Sequence, residues 1–200
     1  VAWGRLVSLG HSGASYDVGM AAIAAGARHA THLFNRMTPL RHREPGLAGA
    51  IMASDQVAAE LICDGHHVHP AVVRMAVAAK KPSRVMAITD GTAVAGLPAG
   101  ARARLGGQSI TLSERAACLG DGTLAGSAVT MNLVFRMLTD AAGLTPVDAA
   151  TLCSTTPARE LGLQGLGVVA PGAVADLVVL DRDCQVVQTY VGGRLVFSSR

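Results

Sequence analysis

Aromatic residues are scarce in this 200-residue chain: one Trp, two Tyr and three Phe make up 3% of it. A core without large rings has to be filled by Ala, Val and Leu, which pack closely where helices lie against a parallel sheet. Histidine is missing from everything beyond residue 69, because all seven (His11, His29, His32, His42, His66, His67 and His69) come earlier. Imidazole chemistry is thereby confined to the first third. The four cysteines (Cys63, Cys118, Cys153 and Cys184) contain no C-x-x-C pair. That argues against a zinc ribbon or a disulfide framework and fits small buried thiols in a reducing, cytoplasmic setting. No apolar run reaches the ~18 residues a membrane span needs and no signal-peptide pattern follows Val1, so no membrane partner is expected. The net charge is only +3, with no basic run interleaved with aromatics, and nucleic acid is not an expected partner either.

What is present is an alternation of strand and helix. With 50% apolar and 16% charged residues, the composition excludes disorder and a coiled coil. Leu6–Leu9 reads as a strand ending in Gly10-His11-Ser12, and Ser15 or Asp17 can cap a helix from about Val18 to Ala27. Ala30–Phe34 reads as the next strand, followed by a polar loop over 35–45 and a short helix over 46–53. Val57–Cys63 and Arg84–Ile88 are further strands, closed by Asp64-Gly65 and Thr89-Asp90-Gly91, with a helix from Pro70 to Lys80 between them. Four βα units in succession imply a parallel sheet. A β-hairpin excursion is predicted over about 97–123, then helices over 127–142, 145–153 and 156–161, then a Val- and Gly-rich β segment.

In α/β proteins catalytic groups gather beyond the carboxyl ends of the strands. His11, His32, Asp64 with His67, and Asp90 all fall there, so four successive strands deliver titratable groups to one face. Two neutral imidazoles and a carboxylate suit a divalent-metal site with a place for water, and an Asp at a later strand end can shuttle the water's proton. A serine hydrolase is the first rival, since Gly10-His11-Ser12-Gly13-Ala14 resembles a G-x-S-x-G elbow. That fold needs its His late in the chain, whereas here none follows residue 69. The second rival is a metal site made of His66-His67-x-His69 alone, against which these residues read equally as loop or helix-entry positions.

The residues carry a resemblance as well. Gly10-His11-Ser12, Thr31-His32-Leu33-Phe34-Asn35-x-Met37, Arg43-Glu44-Pro45-Gly46, Asp64-Gly65-His66-His67-Val68, Thr89-Asp90-Gly91-Thr92 and Leu124-Ala125-Gly126-Ser127 occur in order. Thr156-Pro157-Ala158-Arg159 and Pro171-Gly172-Ala173-Val174-Ala175-Asp176-Leu177 follow. Together these resemble the N-acetylglucosamine-6-phosphate deacetylases of the amidohydrolase superfamily. The resemblance implies an α/β fold: a partial (β/α)8 TIM-type barrel over 1–165 and, over 166–200, the C-terminal strands of a small β-sandwich domain. It implies metal-dependent hydrolysis of an acetamide on a phosphorylated N-acetyl amino sugar, in amino-sugar catabolism. The metal, zinc first and iron, manganese or cobalt as alternatives, would be held by His11 and His32, with Asp90 as general base and acid. Arg43 and His67 match the positions that bind the phosphate, in part across a homodimer interface. Backbone groups at Asn35 and Arg36 would face the same phosphate, and Leu124 would line the acetyl pocket.

The departures are specific. The family commonly has Ala where Arg36 stands. Its metal set includes a Glu on a strand before the Gly10-His11-Ser12 block, and neither Glu44 nor Glu60 takes that place. A complete barrel takes ~250 residues, so the expectation is a chain matching the C-terminal half of such an enzyme, inactive alone or in need of a partner piece.

Overall fold

The computed structural model describes residues 4–113 and 116–199. Residues 1–3, 114–115 and 200, which fall within the expected segments 1–165, 97–123 and 166–200, lie outside the described residues. The first sheet is parallel with strands in chain order: β1 (Ser8–Leu9), β2 (His29–Ala30), β3 (Ala58–Ile62) and β4 (Val85–Ile88). It is open among the described residues rather than a closed barrel. Helices α1 (Tyr16–Ala24), α2 (Gly46–Ala53) and α3 (Pro70–Lys80) connect successive strands, as parallel pairing requires. Ser15 caps α1, its Oγ accepting the Val18 N–H at 3.4 Å, and His69 caps α3 by accepting the Ala71 N–H on Nδ1 at 3.2 Å.

All four predicted strands of this sheet are shorter than the pattern suggested, β2 most of all. Apolar character runs on to Phe34, but β2 ends at Ala30 because His32 (φ 29°) and Phe34 (φ 77°) turn into left-handed backbone. Hydrophobicity there serves burial beyond the strand end: Leu33 is fully buried, and its N–H still donates to the Glu60 carbonyl of β3 at 2.8 Å.

The scarcity of rings has its packing consequence between α1 and α2. A Cβ added at Gly19 would meet the Ala50 Cβ at 2.8 Å, so these helices approach at a distance only small residues allow. The main core gathers Leu33, Leu47, Ile51, Val57, Leu61, Val73, Val85, Leu138 and Leu152 between the sheet and its helices. Lys80 ends α3 inside this body, 2% exposed, and its Nζ donates to the Ile51 and Ser54 carbonyls at 2.8 Å each. A cation thus satisfies carbonyls left open at the end of α2. Burial pulls its pKa down to about 8, against a smaller opposing effect of Asp55.

The predicted hairpin excursion is a four-stranded antiparallel sheet: β5 (Arg102–Leu105), β6 (Gln108–Ser113), β7 (Ala116–Cys118) and β8 (Leu124–Ser127). It has its own small core of Val94, Ile110, Leu112 and Ala117. Ser127, expected to open a helix, ends β8 instead, and α4 starts only at Met131 (Met131–Arg136). Wide helical turns over 137–141 and 151–155 flank α5 (Pro146–Ala150) and lead into α6 (Thr156–Glu160). β9 (Leu177–Leu180), β10 (Val186–Val191) and β11 (Arg194–Ser198) close the chain as an antiparallel sheet.

Candidate active site

The carboxyl ends of β1 to β4 and the adjoining sheet enclose a cavity of about 780 Å³. His11, His32, Asn35, Arg36, His67 and Asp90 line it from the parallel sheet, and Leu105, Gln108, Leu119, Thr123 and Leu124 from the antiparallel one. Seven of the eight residues singled out from sequence therefore share one space. The eighth, Arg43, is exposed in the loop before α2 and is not among the lining residues.

Backbone strain marks the same residues. Seven described non-glycine residues have positive φ, and His11 (43°), His32 (29°), Arg36 (51°) and Asp90 (50°) are four of them. Such conformations cost on the order of 1–3 kcal/mol each and persist where the surroundings over-determine them. Here loop-to-loop hydrogen bonds do so. Ser12 N–H donates to the Arg36 carbonyl at 3.0 Å and Thr38 N–H to the Ser12 carbonyl at 3.2 Å, binding the loop after β1 to that after β2. The Asn35 amide donates to the His32 and Leu33 carbonyls at 3.3 Å each, holding the turn that carries His32.

Asp90 is fixed from the other side. Ser127 N–H donates to the Asp90 carbonyl at 2.9 Å, Thr92 N–H to the Ser127 carbonyl at 3.0 Å, and the buried Ser127 hydroxyl to the Thr89 carbonyl. Gly126 (φ 77°) passes so close that a Cβ there would meet the Thr92 Cγ2 at 2.6 Å and the Asp90 carbonyl at 2.8 Å. In the sequence Gly126-Ser127 stands out only as part of the Leu124-Ala125-Gly126-Ser127 block. Its role as the seam joining the two sheets at Asp90 needs a contact between residues 36 positions apart.

His11 and His32 face each other with Nε2 atoms 2.9 Å apart and ring centroids at 4.8 Å. Two imidazole lone pairs converging on one point suit a shared divalent cation. His32 Nδ1 is buried with no hydrogen-bond partner among the described residues. Among the described residues no group of three His, Cys, Asp or Glu converges, so His11 and His32 stand as a pair. The same finding removes the rival His66-His67-x-His69 site, for His66 is exposed and His69 is occupied as a helix cap. His29, at the opposite end of β2, faces Glu160 at 3.4 Å and takes no part.

Asp64 sets the orientation of His67. Its Oδ1 accepts the His66 and His67 N–H groups at 2.8 and 2.9 Å, and its Oδ2 accepts from His67 Nδ1 at 2.6 Å. Burial pushes the Asp64 carboxyl up, but the hydrogen bonds from His67 and His66 outweigh it and hold it below the usual range. With Nδ1 spent on the carboxylate, Nε2 is the nitrogen left to the cavity. Neither Cys63 nor Cys153 is among the lining residues, and burial pushes both thiols up, that of Cys153 to about 12.

Residues 6–196 match the model of the amidohydrolase family. The chain is 40% identical over 196 residues to the N-acetylglucosamine-6-phosphate deacetylase of Bacillus subtilis, covering 98% of this chain and 49% of that protein. It is also 40% identical over 190 residues to an N-acetylgalactosamine-6-phosphate deacetylase of Escherichia coli, covering 94% and 50%. A solved structure of a variant N-acetyl-D-glucosamine-6-phosphate deacetylase from Mycobacterium smegmatis, in complex with N-acetyl-D-glucosamine-6-phosphate, superposes with a TM-score of 0.91 at 42% identity. That match covers 98% of this chain and 52% of the other. The chain thus spans about half the length of the curated relatives it matches. The family match spans nearly the whole chain, and the chain belongs to the amidohydrolase family.

Proposed function

We propose that the protein carrying this chain hydrolyses the acetamide of N-acetylglucosamine 6-phosphate to glucosamine 6-phosphate and acetate. The observation that carries this reading is one cavity lined by His11, His32, His67 and Asp90 from four successive strand ends. His11 and His32 would hold a divalent cation, zinc by preference for imidazole donors, with a further ligand from outside the described set. Such a cation, when bound, polarises a carbonyl and lowers the pKa of water. Asp90 takes the proton of the attacking water and returns it to the nitrogen as the C–N bond breaks, so acetate and the amine leave. His67, oriented by Asp64, offers Nε2 to the anionic end of the substrate together with the Asn35-Arg36 segment. Leu119 and Leu124 give the acetyl methyl an apolar wall. Arg43, outside the cavity, fits a role at the phosphate of a neighbouring copy in a homodimer. The galactosamine epimer is a second substrate candidate, favoured by the equal identity to an enzyme named for it.

The test is acetate release from both 6-phosphates by the protein carrying this chain, with and without a chelator. Chelator-sensitive turnover that disappears in Asp90→Asn is expected. Turnover indifferent to chelation, or none after metal is restored, would overturn the reading.

A further inference from the structure

Arg36 is a lining residue of two spaces: the main cavity and an adjoining recess of about 620 Å³ bounded by His11, Ser12, Gly13, Met37 and Thr38. It therefore stands on the ridge between them. A long side chain on left-handed backbone (φ 51°) costs roughly 1–2 kcal/mol, and the Ser12 N–H to Arg36 carbonyl bond holds it there. Among the described residues no hydrogen bond and no ion pair within 4 Å occupies its guanidinium. Leu119 and Thr123 line the same main cavity, and Asp121 is the tip of the turn between them. The Asp121 Oδ1 accepts the Thr123 N–H at 2.9 Å. That carboxylate is held low by Thr123 first, with a smaller contribution from the positive charge of Arg36. Arg36, whose guanidinium has no partner among the described residues, thus lines a cavity whose other cationic candidates are imidazoles, and the exposed Asp121 carboxylate lies on the turn between two further lining residues.

We propose that the Arg36 side chain is a specificity-determining residue, binding the phosphate end of the substrate through charge-assisted hydrogen bonds in competition with Asp121. The proposal rests on the phosphorylated amino-sugar reading above and extends it from the backbone at this position to the side chain. A guanidinium forks onto two phosphate oxygens and keeps its charge at any working pH, which a solvent-screened attraction to Asp121 cannot match. Phosphate engages the guanidinium directly while Asp121 attracts it only from beyond ion-pair distance, so the charge of Asp121 weakens anionic ligands selectively.

The experiment is calorimetric titration of the protein carrying this chain with glucosamine 6-phosphate, glucosamine and inorganic phosphate, at low and high salt. Arg36→Ala should weaken glucosamine 6-phosphate and phosphate about tenfold and leave glucosamine within about twofold, as loss of one charged hydrogen-bonding partner implies. Arg36→Lys should restore part of the loss, and Asp121→Asn should tighten the anionic ligands about two- to threefold at low salt. Arg36→Gly, which relieves the backbone, should bind like Arg36→Ala; if it binds like the wild type, the side chain has no role. Equal weakening of all three ligands by Arg36→Ala would assign it to loop structure and overturn the proposal. A wild-type preference for the phosphorylated ligand that Arg36→Ala leaves undiminished overturns the role of Arg36 alone. No such preference in the wild type overturns the function reading, and this proposal with it.

Discussion

Gly126→Ala should damage the site more than the fold. The added Cβ falls 2.6 Å from the Thr92 Cγ2, 2.8 Å from the Asp90 carbonyl and 3.6 Å from Asp90 Oδ2. Two costs follow. Left-handed backbone at φ 77° penalises any L side chain by roughly 1–2 kcal/mol. Overpacking adds roughly 1–3 kcal/mol more, because one close neighbour is backbone and the other a β-branched side chain. Gly122→Ala separates the two, since Gly122 has φ 85° with nothing within 4 Å of its Cβ. Urea unfolding should therefore show a loss of about 1–2 kcal/mol for Gly122→Ala and about 2–5 kcal/mol for Gly126→Ala. Turnover should respond further. The clash is relieved by moving residues 90–92 away from β8, and an ~1 Å displacement of a reacting group can cost about 100-fold in rate. Acetate release measured where both variants are fully folded should fall about 100-fold for Gly126→Ala and stay near wild type for Gly122→Ala. If the two variants match in both stability and turnover, the seam at Asp90 does not position it and the reasoning fails.

Lys80→Met removes both hydrogen bonds to the α2 carbonyls, for an expected loss of about 2–4 kcal/mol in urea unfolding, an unchanged midpoint being the contrary result. The folded pKa of Lys80, about 8, lies below its unfolded value of 10.5. Between those values the unfolded chain binds more protons, so this group makes stability rise with pH, by on the order of 3 kcal/mol from pH 8 to 10.5. Unfolding measured across that window should show the rise in wild type and lose it in Lys80→Met. Asp64, depressed in the fold, contributes stability that is present above its unfolded pKa and disappears as pH falls through the folded one. Asp64→Asn should therefore lower stability at pH 7 by about 1–3 kcal/mol and flatten its acid dependence, read by thermal unfolding from pH 7 to 2. His32→Ala should weaken zinc binding at least tenfold in a competition titration with a chromophoric chelator, and equal affinity would remove His32 from the ligand set.

Much of the site was legible because strand ends carry their own punctuation. Gly10-His11, Asp64-Gly65 and Asp90-Gly91 each follow an apolar run and precede a turn, so the residues facing the cavity could be named without coordinates. The limit of β2 was not legible. Leu33 and Phe34 carry apolar character past Ala30 because Leu33 is buried, and burial looks the same in sequence whether the chain runs on as a strand or turns away. Ser127 misled for a related reason: a serine before an apolar stretch reads as a helix cap, whereas its hydroxyl is taken by the Thr89 carbonyl 38 residues earlier. Arg43 lay in a specific motif but outside the cavity, since nothing in the spacing of a polar loop fixes where its long side chains end.

The sequence by itself determined the alternation of strands and helices, the face on which chemistry gathers and the residue types available there. These follow from periodicity and turn chemistry, which are local. Tertiary structure alone decided that β8 clamps Asp90 and that His11 and His32 meet at 2.9 Å. It alone brought Arg36 into one cavity with Leu119 and Thr123, which flank the turn carrying Asp121. Each of these is a contact between distant segments, set by how two sheets pack, and no local pattern encodes it.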